Sequence, residues 1–294
     1  MNFRQVRKKI RTVSNVKKIT KAMQMVASVK MKKAQDEALQ GKLYRQLLDR
    51  VVSRVLGSGS YTNNLFVRRD SDKAEINKTL YIVITSNKGL CGSFNFNLFK
   101  LIFTSVDFDR ASFITVGKKG SDFLARSKGE ILADFSKEAS SVDSVSAILT
   151  SVTEPYLKGV FSNVSLIYNS FVSTFRQMPV VVPFLPIRSK EVVDFDSGGQ
   201  KDTAGDKYII EPSEQEVVDA LILDFLKDKI RGAILESAAS EHSARMMAMK
   251  NATDNAEDII INLTLLRNKL RQTTITNELL DATTAKESSD TSSI

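Results

Sequence analysis

His242 and Cys91 are the sole histidine and cysteine of the chain, and together they bound the chemistry it could carry. One thiol cannot form an internal disulfide, and one imidazole offers little to a transition metal, so redox and zinc chemistry are set aside. A nucleophilic triad would have to recruit His242. That residue stands in Ser240-Glu241-His242-Ser243-Ala244-Arg245, inside a predicted helix with no nucleophile elbow beside it, and it reads as a helix-surface histidine. The other pattern with chemical potential is Gly89-x-x-Gly92 after a predicted strand. It lacks the third glycine of a dinucleotide fingerprint and the lysine of a phosphate loop, so it reads as a structural turn. No catalytic, cofactor-binding or metal-ligating residues are expected, and no cofactor.

Charge is the stronger signal. The net charge is +8, but residues 1–56 hold fifteen Lys/Arg against three Asp/Glu, a local +12, which leaves −4 for the rest. The first 21 residues contain eight bases and no acid. Such a block anticipates a negatively charged partner: nucleic acid, anionic lipid or an acidic protein surface. No apolar run approaches the length that crosses a bilayer, and no secretory signal is read at the N-terminus. A cytoplasmic or equivalent compartment is expected.

Two long helices must position these groups. No proline occurs before Pro155, and Val6, Ile10, Val13, Ile19, Met23 and Val26 recur at helical spacing, as do Ala27, Met31, Ala34 and Ala38. Gly41 costs about 1 kcal/mol relative to alanine, too little to break so long a helix. The spacing therefore predicts one coiled-coil helix over residues 1–57, roughly 80 Å long at 1.5 Å per residue. At the other end, Ser213 and Glu216 are spaced as a capping box, and Ile259, Leu263, Leu266 and Leu270 keep a 4-3-4 rhythm. This predicts a second coiled-coil helix over 212–283, with a polar, disordered tail at 284–294. Each apolar stripe needs a partner, and the simplest solution is an antiparallel pair.

Between them the pattern alternates strand and helix over residues 58–211. Strands are expected at Leu80–Ile84, Phe113–Val116, Val164–Tyr168 and Val180–Val182, with helices near 95–105 and 143–157 and a surface loop near 188–207. The fold class is α/β: a long antiparallel N- and C-terminal helical coiled coil plus a small central α/β domain with a largely parallel sheet.

Three stretches carry a resemblance to a known family. They are Lys18-Ile19-Thr20-Lys21-Ala22-Met23-Gln24-Met25-Val26-Ala27, Thr85-Ser86-Asn87-Lys88-Gly89-Leu90-Cys91-Gly92-Ser93-Phe94-Asn95, and the string from Ser240 to Ala256 continued by Asn268, Arg271-Gln272 and Ile275-Thr276-Asn277-Glu278. In type, order and spacing they resemble the gamma subunits of F-type rotary ATP synthases, over nearly the whole chain. The resemblance implies a non-catalytic central rotor shaft, coupling proton-driven rotation of a membrane c-ring to the conformational cycle of beta catalytic sites, reversibly. It implies alpha and beta subunits, epsilon and the c-ring as partners, one copy per complex, and a peripheral place on the cytoplasmic face of a bacterial inner membrane. It also implies that Met23, Lys18, Lys21, Arg245, Arg271, Gln272, Thr276 and Glu278 serve coupling and partner contact. The tip bearing Ile275, Leu279, Leu280 and Ala282 would then suit an apolar bearing. The family's usual glycine-containing end is replaced here by Leu279-Leu280-Asp281-Ala282 and a serine-rich tail. The cysteine pair inserted in chloroplast relatives is absent. The rival reading is a basic coiled coil that tracks nucleic-acid phosphates, which accounts for the +12 helix but not for the polar string over 240–278.

Overall fold

The structure is a computed structural model that describes residues 2–57, 66–67, 78–136, 142–187 and 213–291. The loop expected near 188–207 lies outside the described residues. Helix α1 spans Phe3–Gln40 and helix α2 spans Lys42–Gly57. The predicted single N-terminal helix is thus interrupted at Gly41. Two backbone bonds still bracket the interruption, Gly41 N–H to Glu37 O at 3.4 Å and Arg45 N–H to Gly41 O at 3.0 Å. Glycine's backbone freedom at this one position is enough to loosen the ladder without ending it.

The central region contains strand β1 (Thr79–Ile84), helix α3 (Phe94–Ser105), strand β2 (Ala111–Val116), helix α4 (Lys118–Arg126) and strand β3 (Glu130–Asp134). Helix α5 (Val145–Leu157) and strands β4 (Asn163–Phe171) and β5 (Gln177–Leu185) follow. Helix α6 then spans Glu214–Thr291. It continues beyond the end expected near residue 283, because Thr, Ala, Lys, Glu and Ser supply no glycine or proline to stop it. The expected cap is present, with Glu216 N–H donating to Ser213 Oγ at 3.4 Å.

The chain divides into two compact units, one of residues 1–27 and 246–294, the other of residues 28–245. In the larger unit the sheet order is β3-β2-β1-β4-β5, parallel except for the β4–β5 hairpin. Strand alternation sorts the core into two faces. Leu80, Ile82, Ile84, Ile114, Val116, Val164 and Leu166 point to one face, packed by Leu48, Val52 and Val55 of α2, Ile148 and Val152 of α5, and Val218 to Ile234 of α6. Val83, Phe113 and Ile167 point to the other, against Leu98, Ile102 and Leu124 of α3 and α4. Helices thus cover both faces, as a parallel sheet requires.

β3 and α4 are not expected from the sequence. β3 reads Glu-Ile-Leu-Ala-Asp at the sheet's edge, with alternate residues exposed, so its apolar content is too low to announce a strand. Helix α4 is short and is preceded by Gly117 at its N-cap, whose φ of +109° turns the chain tightly past β1. A Cβ there would lie 2.2 Å from the Thr85 carbonyl oxygen. Thr85 Oγ1 accepts Gly120 N–H at 2.8 Å and donates to Gly117 O at 3.1 Å, which sews β1 to the start of α4.

In the smaller unit α1 and α6 run antiparallel: Lys17 pairs with Glu257 at 3.0 Å, and Thr20 Oγ1 meets Thr253 Oγ1 at 2.8 Å. The larger unit shows the same sense, with Arg45 Nε donating to Asp228 Oδ2 at 2.8 Å. No helix among the described residues is long and apolar enough to cross a membrane.

Candidate functional site

In the smaller unit the site residues sit on the outside of a helix pair held by small contacts. Val6, Ala27, Met249 and Ala256 are buried there, and so is the Thr20–Thr253 pair. Each hydroxyl also has a backbone acceptor on its own helix, Met249 O at 2.8 Å from Thr253 and Lys17 O at 3.1 Å from Thr20, so either one can donate across the seam. Two hydroxyls thus satisfy each other at a seam where an unpaired one would be costly. Lys18 and Lys21 project to solvent, and Met23 is half-buried.

Every residue from Arg271 to Leu280 is exposed. Arg271, Gln272, Thr276 and Glu278 fall within about two turns of α6. Thr276 turns its hydroxyl back onto its own helix, donating to Gln272 O at 3.0 Å. None of the ion pairs among the described residues uses Lys18, Lys21, Arg271 or Glu278. Ile275, Leu279 and Leu280 stay open to solvent on the same stretch, Leu279 at 62%. These are groups offered outward rather than spent on the chain itself.

Arg245 is different. Its side chain is only 11% exposed, and its Nη1 pairs with Glu241 Oε1 at 2.6 Å. Nη2 donates to Lys88 O at 3.0 Å and to Gly89 O at 3.3 Å, while Nε reaches Gly89 O at 3.4 Å. The intrahelical ion pair could be read from the i, i+4 spacing of Glu241 and Arg245. The grip on the Lys88-Gly89 turn could not, since it joins residues more than 150 positions apart. Nη1 also lies 3.3 Å from His242 Nδ1, so this nitrogen accepts and the ring is neutral. The histidine is half-buried rather than a free surface group. Burial, with Arg245 and Lys30 nearby, pushes its pKa down to about 4. Burial raises the Glu241 carboxyl above its ordinary value, against the opposing pull of Arg245 and Lys30.

The Lys88-Gly89 turn itself is firmly built. Leu90 and Gly92 adopt positive φ (63° and 59°), and Asn95 Nδ2 donates to Ser86 Oγ at 2.8 Å and to Cys91 Sγ at 3.3 Å. β1 and β4 are parallel neighbours from which the chain departs in opposite directions along the sheet, so their carboxyl ends flank the switch point of the order. Open α/β sheets commonly receive ligands at that point. Here α6 occupies it. Glu236 Oε1 accepts Ser170 Oγ at 2.6 Å and Phe171 N–H at 3.0 Å, Ser243 Oγ donates to Thr174 O at 2.6 Å, and Arg245 holds the turn after β1. Glu236 and Ser243 were not singled out from the sequence, because only the long-range fold brings the hairpin to them.

Fold and site together define an α/β protein whose long terminal helices leave polar and apolar groups open to solvent and whose sheet edge is closed by its own helix. Residues 2–288 match the family model described as ATP synthase. The chain is 36% identical over 283 residues to the ATP synthase gamma chain of Heliobacterium modesticaldum, covering 94% of this chain and 95% of that one. It is 38% identical over 291 residues to the gamma chain of Desulfotalea psychrophila, covering 95% and 96%. Among solved structures, it resembles a chain of the Euglena gracilis mitochondrial ATP synthase, from a structure of its OSCP, F1 and c-ring parts. There the TM-score is 0.64 and the identity 19%, with 97% of this chain and 94% of that one covered, which bears on the fold. The chain belongs to the ATP synthase gamma-chain family.

Proposed function

We propose that this chain is the central rotor shaft of a rotary ATP synthase, turned by a membrane c-ring and driving the catalytic cycle of beta subunits within an alpha–beta ring. The observation that carries this reading is membership of the gamma-chain family over nearly the whole length, joined to two long helices with exposed contact groups. Nucleotide chemistry belongs to the beta subunits, and this chain transmits work. The basic-coiled-coil rival finds no support among the relatives.

The physics of the role follows from the surface. A turning shaft biases one catalytic site over another only through contacts that differ with angle. The bases of α1, Lys18 and Lys21 among them, give one side of the helix pair a strong positive field that acidic loops of the ring would meet. Arg271, Gln272, Thr276 and Glu278 provide directional polar contacts, and Ile275, Leu279 and Leu280 an apolar patch suited to a bearing. Met23 would touch a lever of the ring without adding charge. The sheet-bearing unit would meet epsilon and the c-ring. One copy would serve each complex, and the complex would sit at the cytoplasmic face of a bacterial inner membrane, with this chain attached peripherally.

The test is an affinity pull-down of the tagged chain from solubilised native membranes. Recovery of alpha, beta and epsilon subunits with ATPase activity, and with this chain far substoichiometric to alpha and beta, is the expected result. Recovery of nucleic acid or unrelated soluble proteins alone would overturn the reading.

A further inference from the structure

The apolar core that binds α6 to the sheet ends with Ile234, while α6 remains against the sheet edge for about three more turns. Leu235 and Ala239 are still buried there, but the bonds the stretch makes to the sheet's carboxyl edge are polar. Glu236 accepts two donors from the end of β4, Ser170 Oγ and Phe171 N–H. Ser243 donates to Thr174 in the β4–β5 turn, and Gln177 Nε2 approaches its oxygen at 3.4 Å. Arg245 holds the two carbonyls of the turn after β1. Glu236 and Ser243 are two turns apart on one helix face. Arg245 stands about 180° round the helix from Glu236 at 100° per residue.

The helix is therefore gripped from two sides, by bonds with preferred directions. Apolar packing tolerates sliding and rotation of a helix in its groove. A carboxylate with two donors and a forked guanidinium do not, because hydrogen bonds weaken steeply when misaligned. We propose that Glu236, Ser243 and Arg245 are positioning residues for coupling: they fix the rotational setting of α6 on the carboxyl edge of the sheet, so that torque on the sheet passes to the helix. None of the three needs to touch the ring for this. The inference rests on the shaft reading and adds to it the place where sheet and helix are locked together. It also gives Arg245 a role different from that of Arg271 and Gln272, since its guanidinium is engaged within the chain.

Under this arrangement the locks matter most when the shaft is loaded. Glu236→Gln weakens the carboxylate's bonds but keeps an accepting oxygen, and Ser243→Ala removes one hydroxyl, so the fold should stay intact while the helix slips when rotation works against a gradient. The experiment uses the whole complex in inverted membrane vesicles, with Glu236→Gln/Ser243→Ala and, separately, Ser243→Ala alone. ATP hydrolysis is read with the gradient collapsed by an uncoupler, and the steady proton gradient is read without it. Expected is hydrolysis within about twofold of wild type, with the gradient sustained by the double variant reduced about threefold or more and that of the single variant reduced less. Unchanged gradients in both variants would overturn the proposal, and so would hydrolysis and gradient falling in parallel, since that is mere loss of assembly. Failure of the wild-type chain to assemble with an ATP-hydrolysing ring would instead overturn the shaft reading.

Discussion

The two compact units differ in how deep a core they bury. The unit of residues 28–245 buries Leu80, Ile82, Phe113, Ile114, Leu124, Ile148 and Leu226 almost completely, and its one prominent arginine cluster is turned inward. The unit of residues 1–27 and 246–294 buries small groups and a threonine pair, and leaves Ile19, Val26, Ile259, Leu265, Leu279 and Leu280 open to solvent. The first unit holds the deep core, although it too leaves Val29, Leu43, Phe96 and Phe175 exposed; the second has little core beyond its seam. A long apolar side chain left in water on a helix pair contributes little to folding of the isolated chain, but it can contribute when a partner covers it.

The sharpest way to break this contrast is to disturb the sheet unit where it has no slack. Gly117→Ala would place a methyl group 2.2 Å from the Thr85 carbonyl oxygen on a backbone with φ of +109°. A loss of about 3 kcal/mol or more in denaturant unfolding is expected, with poor yield of soluble chain. Near-normal unfolding would show that the sheet unit is looser than its packing implies.

A change of comparable size in function, but not in folding, is expected in the helix unit. Met23→Lys adds a charge to a half-buried site proposed to face the ring. Proton pumping per ATP hydrolysed should fall while unfolding of the isolated chain is little changed. Unchanged pumping per ATP would count against Met23 as a coupling contact.

A smaller effect is expected at the seam. Thr20→Val removes one partner of the 2.8 Å hydroxyl pair, though Thr253 keeps its bond to Met249 O. A cost of about 1 kcal/mol is expected, with the Thr20→Val/Thr253→Val double variant nearer neutral than the sum of the two singles. Strict additivity in the double-mutant cycle would mean that the pair is not a unit.

The subtlest prediction concerns pH. His242 is held neutral by burial and by Arg245 and Lys30, with its pKa lowered from 6.5 to about 4. As pH falls from 6.5 towards 4, the unfolded chain binds a proton that the folded chain refuses, so stability is lost across that window. Glu241, whose carboxyl is raised, works in the opposite sense, since protonation on acidification relieves its burial. His242→Gln should therefore flatten the fall in stability between pH 6.5 and 4 while leaving stability at pH 8 nearly unchanged. An identical acid limb in wild type and variant would remove His242 from the account.

Much of this was legible in the sequence, for stated reasons. The long helices announced themselves by a proline-free 3-4 spacing, and β1, β2, β4 and β5 by short apolar runs. β3 was hidden because its apolar run, Ile131-Leu132-Ala133, holds one β-branched residue between Glu130 and Asp134, both weak in strands, and the break at Gly41 by a propensity cost too small to foresee it. At the site, the sequence named Arg271 and Glu278, and the fold leaves both exposed. The inward turn of Arg245 onto Lys88 and Gly89 could not be read, because a side chain's partner across the fold leaves no local trace. The same holds for Glu236, whose partners Ser170 and Phe171 arrive with a hairpin.

The central claim is mechanical, and it is tested most directly by watching the chain turn. An alpha–beta ring assembled with this chain would be fixed to a surface, with a probe attached to an exposed side chain of the sheet-bearing unit, and ATP supplied. The account predicts sustained rotation in one direction, in regular steps whose rate follows ATP concentration. A ring that hydrolyses ATP with this chain bound while the probe only fluctuates about a fixed angle would contradict it.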